Sequence, residues 1–180
     1  MIVNLQKRYA LHPAPLRSFV RSLKRCLRLD NKEFNVCLVE DNAIRQLNLA
    51  FRGKDTATDV LSFPWAESAR PLPNKPRANL PRAEHLGIPN FLGDVAISVP
   101  TARRNARAEG HSAIDEIRWL ILHGVLHLLG YDHERDNGEM VALELALREQ
   151  LGVSGAPAGN EIVKKRGVKG EGRKIIRPRS

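Results

Sequence analysis

The stretch His123-Gly-Val-Leu-His127-Leu-Leu-Gly130-Tyr-Asp-His133 decides the fold, because it places three of the six histidines in a short, mostly apolar segment. His123 and His127 are four residues apart, so on a helix they lie one turn apart on the same face. Gly130 can adopt a left-handed backbone that ends the helix, and the chain then brings His133 back toward the other two. Three converging imidazoles with one open position are typical of a catalytic metal site.

The spacing H-x3-H-x2-G-x2-H is the metal-binding frame of the metzincin zinc peptidases, but one residue differs. A peptidase carries Glu directly after the first histidine as its general base, and here that residue is Gly124. Neutral imidazoles suit Zn²⁺ best, and a zinc ion with an open position lowers the pKa of its bound water to about 7. The sequence therefore predicts one zinc ion per chain and hydrolysis as the reaction class.

Composition and charge indicate one domain and a polyanionic partner. The 180 residues are 42% hydrophobic, which is enough apolar sequence for a core. The formal net charge is +9, and this excess of positive charge favours nucleic acid as a partner. No apolar run reaches membrane-spanning length and no signal peptide is recognisable, so we expect a cytoplasmic protein without a membrane partner. Residues 153–180 hold eight Lys and Arg against two Glu and are predicted to form a disordered basic tail. That tail either adds affinity for RNA phosphates or is a solvated appendage.

The hydrophobic patterns predict an α+β (mixed α/β) fold, a single domain over residues 1–152 with a small, mostly four-stranded sheet and about five helices. The predicted strands cover residues 2–5, 34–40, 58–63 and 92–99. The predicted helices cover residues 15–29, 41–51, 100–108, 112–129 and 137–151, with Asp41 and Ser112 as caps. Residues 64–90 contain six prolines, which predicts a long surface loop. The order of the strands is not derivable from these patterns.

The first predicted helix carries an unusual concentration of positive charge. Its apolar residues recur at helical spacing, and the opposite face presents Arg17, Arg21, Lys24, Arg25 and Arg28. This face is either solvated or part of a nucleic-acid surface.

A phosphodiester substrate would need positive charge to stabilise its pentacoordinate transition state. Arg52, between the second helix and the third strand, is the candidate catalytic residue, because a planar guanidinium can hold a phosphate through two hydrogen bonds. If the substrate is RNA, its 2′-hydroxyl is an available nucleophile. Asp132 either orients the neighbouring His133, acts as a base, or is a turn residue. Three other polar residues on predicted strands either line the cleft or make structural hydrogen bonds: Asp59, Asp94 and Ser98.

Three segments of the chain resemble the bacterial YbeY family of endoribonucleases that process ribosomal RNA. They are the histidine stretch, Phe51-Arg-Gly-Lys-Asp-x-x-Thr-Asp-Val-Leu-Ser-Phe-Pro64 and Leu92-Gly-Asp-Val-Ala-Ile-Ser98. The resemblance spans residues 1–152 and implies a zinc-hydrolase-like fold. It also implies His123, His127 and His133 as zinc ligands, and Arg52 as the functionally important arginine.

The resemblance implies a single-strand-specific, metal-dependent endoribonuclease. Its role would be the maturation of ribosomal RNA, notably the 3′ end of the small-subunit RNA, and ribosome quality control. The implied partners are ribosomal RNA and the small ribosomal subunit, with no specificity for DNA. Two alternatives stay open: a metzincin-like metallopeptidase or other zinc hydrolase, suggested by the histidine frame, and a non-catalytic ribosome-assembly module with structural zinc.

Overall fold

Four short apolar stretches of the chain form one sheet, and five helices pack against it. The computed structural model describes residues 1–65, 90–133 and 135–153. In these residues the strands are β1 (Ile2–Asn4), β2 (Glu33–Val39), β3 (Val60–Pro64) and β4 (Phe91–Ser98). The helices are α1 (Pro13–Cys26), α2 (Asp41–Arg52), α3 (Val99–Glu109), α4 (Ala113–Leu128) and α5 (Glu139–Gln150). The predicted 64–90 loop and 153–180 tail lie outside the described residues, except for a few residues at their ends.

The sheet is mixed, with the order β1-β2-β4-β3. β1, β2 and β4 are mutually parallel, whereas β3 runs antiparallel to β4 at the edge. The prediction of a single α+β domain with a four-stranded sheet and five helices is confirmed. The order in the sheet differs from the order along the chain: β4 lies between β2 and β3, and β3 pairs with β4 alone.

The two faces of the sheet are covered by different helices, because strand side chains alternate between them. On one face Val36, Leu38, Val95 and Ile97 join the main core with residues of α1 and α4. On the other face a smaller cluster packs against α2. Its members are Val39, Ile44 and Leu61, with Cys37, Ala43, Leu47 and Phe63 around them.

Helix α4 is the central element of the main core. Its residues from Ile117 to Leu128, apart from Arg118, are buried. Gly124 lies against Val95 in the middle of β4, and Leu128 lies against Gly93 near the start of that strand. The helix therefore runs antiparallel to β4 and has its C-terminal end beside the start of the strand.

Two local predictions were wrong, and both have a tertiary cause. Asp41 is not the cap of α2 but its first residue, and the cap residue Glu40 makes no side-chain capping bond. The Asp41 carboxylate is instead hydrogen-bonded to residues of β4 and α3: Ser98, Thr101 and Arg104. The third strand ends one residue later than predicted, at Pro64 opposite Gly93. An edge strand tolerates a proline because only the backbone N–H donor is missing.

None of the helices in the described ranges is long and apolar enough to cross a membrane.

Val153, at the start of the predicted tail, is buried and packs in the main core.

Candidate metal centre

Both ends of α4 are fixed by local hydrogen bonds, as the sequence predicts. Ser112 is the N-cap, and its hydroxyl accepts a hydrogen bond from the Asp115 backbone N–H at 3.0 Å. At the other end Gly130 has φ 92°. The Gly130 N–H donates to the His127 carbonyl at 3.0 Å, and the Tyr131 N–H donates to the Leu126 carbonyl at 3.1 Å. This Schellman arrangement ends the helix at Leu128, directly after the second histidine.

The structure brings the three predicted ligands together. One ligand-type nitrogen from each of His123, His127 and His133 lies within 4.8 Å of the others. The ring centroids of His123 and His127 are 4.6 Å apart, and the His133 ring lies 5.5 and 5.3 Å from them. His123 and His127 are 4% and 2% exposed, whereas His133 on the following loop is half-buried. The cluster therefore opens toward the loop that follows α4.

His127 is held by the turn that ends its own helix. Its Nδ1 is 2.9 Å from the carbonyl oxygen of Tyr131, and because a carbonyl only accepts, Nδ1 must donate. The remaining nitrogen, Nε2, then carries a lone pair. Burial lowers the pKa of His127 to about 2, helped by the neighbouring His123, so the ring stays neutral at physiological pH. A neutral imidazole with a free Nε2 lone pair is the form that binds metal ions.

His123 is held from a different helix by a residue that sequence reasoning missed. Its Nδ1 lies 3.3 and 3.4 Å from the two carboxylate oxygens of Glu144 on α5. The same carboxylate accepts a hydrogen bond from Trp119 Nε1, and Glu144 is only 7% exposed. A signal exists in the sequence, because Glu144 falls at helical spacing between Met140 and Leu147, on the buried face of α5.

These hydrogen bonds leave two nitrogen lone pairs facing each other. With both Nδ1 atoms donating, His123 Nε2 and His127 Nε2 lie 3.0 Å apart. Two lone pairs at this distance repel unless a cation or a proton lies between them. In a tetrahedral zinc site the Zn–N distance is about 2.0–2.1 Å, so two ligand nitrogens are roughly 3.4 Å apart. The histidine cluster therefore fits a divalent metal ion, and the carboxylate and carbonyl partners fit the outer contacts that such ligands require.

Gly124 has a structural cause as well as a chemical consequence. A Cβ atom at this position would lie 2.5 Å from Val95 Cγ1 and 3.1 Å from Ser62 Oγ, so the helix backbone packs directly on the sheet. The Ser62 hydroxyl donates to the Gly124 carbonyl at 3.1 Å. The position where a metzincin carries its general base thus points into the sheet, and a glutamate side chain has no room there.

Arg52 lies on α2, the helix that packs on the other face of the sheet from α4. It is the last residue of α2, next to Phe51, whose ring packs edge-on against Phe63 with centroids 5.1 Å apart. Leu128, which follows His127, lies against Gly93 on the strand paired with Phe63. The helices that carry Arg52 and His127 therefore pack on opposite faces of the β3–β4 pair.

The remaining candidates make hydrogen bonds to neighbouring residues of the fold. The Asp132 carbonyl accepts from the backbone N–H groups of Arg135 and Asp136, and its carboxylate lies 3.5 Å from Arg135 Nε, which is the geometry of a turn residue. The other three bond within the fold: Asp59 to the Val60 N–H, Asp94 to Asn35, and Ser98, as the cap of α3, to Thr101.

Comparison with known proteins points to one family. The family model for Endoribonuclease YbeY matches residues 4–152. Endoribonuclease YbeY from Nautilia profundicola is 47% identical over 123 residues, which is 68% of this chain and 75% of that protein. Endoribonuclease YbeY from Aquifex aeolicus is 39% identical over 139 residues, 77% of this chain and 81% of that protein.

Among solved structures, the fold matches the solution structure of a protein from Thermotoga maritima. The TM-score is 0.52 at 24% sequence identity, and the match covers 89% of this chain and 100% of that chain. At this identity the likeness supports the fold alone.

Proposed function

Because the chain belongs to the YbeY family of endoribonucleases, we propose that it is a metal-dependent endoribonuclease that cuts single-stranded RNA. Its role is the maturation of ribosomal RNA in the cytoplasm, notably of the 3′ end of the small-subunit RNA, and ribosome quality control. The observation that carries the proposal is the pair of Nε2 atoms 3.0 Å apart with both Nδ1 atoms already hydrogen-bonded. The lone pairs of these two atoms face each other and can bind a cation.

His123, His127 and His133 hold one Zn²⁺ ion in this proposal. The imidazole set and the small spread of its nitrogens, within 4.8 Å, support zinc over the harder cations that prefer oxygen ligands. When bound, the ion supplies Lewis-acid stabilisation of charge that develops on the scissile phosphate. The chain itself keeps His127 neutral. Glu144 fixes the orientation of His123, and the Tyr131 carbonyl fixes that of His127.

Arg52 is the proposed catalytic residue. A guanidinium can donate two parallel hydrogen bonds to a phosphate, and its charge stabilises the transition state of phosphodiester cleavage. Arg52 ends α2 next to Phe51, which packs on the edge strand β3, and the other face of that strand contacts α4 through Ser62 and Gly124. In this proposal the guanidinium contacts a phosphate that is bound at the metal site.

The test is a cleavage assay on purified full-length protein with zinc, using single-stranded RNA, duplex RNA and casein. We expect cleavage of single-stranded RNA, its loss in His123→Ala, and a loss of at least 100-fold in Arg52→Ala, since removing one transition-state donor costs about 10²–10³ in rate. Arg45→Ala is the matched control, because Arg45 lies on the same helix and is paired with Asp55. Arg52→Lys separates the planar fork from charge alone and should recover only part of the rate.

Two outcomes would overturn the proposal. Zinc-dependent cleavage of casein would restore the peptidase alternative, which the packing of Gly124 opposes. If Arg52→Ala and His123→Ala leave the small-subunit RNA 3′ end correctly processed in cells while the protein still folds, the protein acts as a non-catalytic assembly module.

The domain boundaries are part of the same proposal. Residues 1–152 form the catalytic domain, residues 64–90 a surface loop, and residues 153–180 a tail that tethers the domain to ribosomal RNA through its basic residues. Deleting residues 155–180 should weaken RNA binding and flatten its salt dependence. An unchanged salt slope would show that the tail is a solvated appendage.

A further inference from the structure

The outer face of α1 carries a column of arginines that the proposed metal site does not use. Arg17, Arg21 and Arg25 are all exposed, while the opposite face of the helix buries Leu16, Phe19 and Leu23. Successive members are four residues apart, so they stack on one side of the helix about 6 Å apart along its axis. We define these three residues as the arginine column.

The column lacks the carboxylate partners that several other arginines have. Three arginines on other helices are paired with carboxylates: Arg45 with Asp55, Arg104 with Asp41 and Arg118 with Asp115. In the described ranges no ion pair joins any member of the column to a carboxylate, and α1 itself contains no acidic residue. The one ion pair on this helix uses a neighbour, Lys24, with Glu33.

Helix stability does not explain the column. Cations near a helix C-terminus are favourable, which accounts for Arg25 in the last turn. Arg17, however, lies in the N-terminal half of the helix, toward the positive end of its dipole. Like charges four residues apart also repel by a few tenths of a kcal/mol, so the pairs Arg17–Arg21 and Arg21–Arg25 weaken the helix. The column therefore weakens the helix, which favours a binding role over a structural one.

The topology directs the column toward the metal centre. α1 joins the parallel strands β1 and β2, so it runs antiparallel to both. α4 runs antiparallel to β4, as the contacts of Gly124 and Leu128 show, and β4 is parallel to β2. The two helices pack on the same face of the sheet and run in the same direction. Their C-terminal ends therefore lie at the same end of the sheet, with Arg25 on one helix and His127 on the other.

From these observations we propose that the arginine column binds the sugar–phosphate backbone of the RNA substrate outside the metal centre. The regular row of guanidiniums, none of which forms an ion pair within the described residues, fits a row of phosphates and reads no bases, so the binding is independent of sequence. The row leads the strand to the end of the sheet where the C-terminal end of α4 lies. This inference rests on the proposed function, because it takes RNA as the polyanion.

The test measures RNA binding separately from cleavage, on full-length protein with zinc. A fluorescent oligouridylate with 2′-O-methyl groups serves as the probe, and its integrity is checked by gel. Its affinity for the wild type and for R17Q/R21Q/R25Q is measured across a range of KCl concentrations. Each lost phosphate contact on single-stranded nucleic acid lowers the slope of log affinity against log salt by about 0.7. The triple variant should therefore lose about 2 from the slope.

The matched control removes the same charge elsewhere. K7Q/R8Q/R45Q neutralises three exposed cations outside α1 and should keep a slope within one contact of the wild type. An equal slope loss in both triple variants would mean that net charge alone governs binding, and would overturn the column. So would an unchanged slope in R17Q/R21Q/R25Q. If the triple variant folds poorly, Arg21→Gln alone should still lose about 0.7.

Failure of the column and failure of the proposed function are distinguishable. If no RNA is cleaved by the wild type but the column variant loses its slope, the endonuclease proposal fails and the column stands. If the wild type cleaves RNA and R17Q/R21Q/R25Q matches it in both KM and salt slope, the column fails. When both hold, the triple variant has a raised KM for long RNA with an unchanged kcat.

Discussion

The contact between Gly124 and the sheet predicts an uncommon response to the mildest possible substitution. Gly124→Ala adds one methyl group, whose carbon would lie 2.5 Å from Val95 Cγ1. Val95 is fully buried in a strand paired on both sides, so it cannot move aside freely. Overpacking of this kind costs about 1–3 kcal/mol, while replacing glycine by alanine inside a helix gains about 1 kcal/mol.

Because Val95 is fully buried in a central strand, we place the overpacking cost in the upper part of that range, at about 2–3 kcal/mol, and expect Gly124→Ala to reduce the free energy of unfolding by about 1–2 kcal/mol. For a chain of this size that lowers the Tm by about 2–8 °C. The assay is thermal and urea unfolding with zinc held at one saturating concentration, and again with chelator, because metal binding itself changes the apparent stability.

A double-mutant cycle tests the cause of the loss. Val95→Ala removes both γ carbons and makes room for the new methyl group. In that background Gly124→Ala should be neutral or stabilise by up to about 1 kcal/mol, because only the helix propensity remains. The reasoning is refuted if Gly124→Ala is as stable as the wild type, or if the two substitutions simply add.

Three further predictions follow from other contacts. Glu144→Gln should weaken zinc binding about 10–100-fold, because it removes the charged acceptor of a ligand nitrogen, and competition with a fluorescent chelator measures the affinity. The control is Glu149→Gln, exposed on the same helix, which should leave the affinity unchanged. Equal losses in the two variants would contradict the prediction. Burial opposes ionisation of the Asp41 carboxyl, but hydrogen bonds from its partners outweigh this effect and lower its pKa below the ordinary value of 3.8. The ionised carboxylate therefore stabilises the folded protein at pH values above 3.8. This stabilisation is lost as the pH falls through the pKa of the folded state. Asp41→Asn should therefore lose about 1 kcal/mol at pH 7 in urea unfolding, with the difference closing in acid; a constant difference would exclude the ionised carboxylate as its cause. Gly130→Ala should lose about 1–2 kcal/mol in the same assay, since its φ is 92°, and an unchanged midpoint would show that the turn relaxes.

The features that sequence predicted well are those written in local spacing. The histidine frame, the Ser112 cap and the Gly130 stop are all set within one or two helical turns, where periodicity and backbone preference act directly. The apolar run before the frame likewise predicts a buried central helix.

The features that sequence missed depend on partners far along the chain. Glu144 meets His123 across 21 residues, and nothing in either local pattern names the other. Asp41 has the side chain of a helix cap, but Ser98 and Thr101, brought in by β4, take its carboxylate. The order of the strands is equally non-local, because β2 pairs with β4 and not with β3, the next strand along the chain.

The position of Glu144 has a consequence for how the protein is made. All three histidines precede α5 in the chain, and synthesis proceeds from the N-terminus. A nascent chain that has emerged only as far as His133 therefore holds the whole predicted ligand set but lacks the carboxylate that fixes His123. The metal centre gains its final geometry only when α5 has emerged and docked on α4. Full competence is thus a late event in the life of each newly translated molecule.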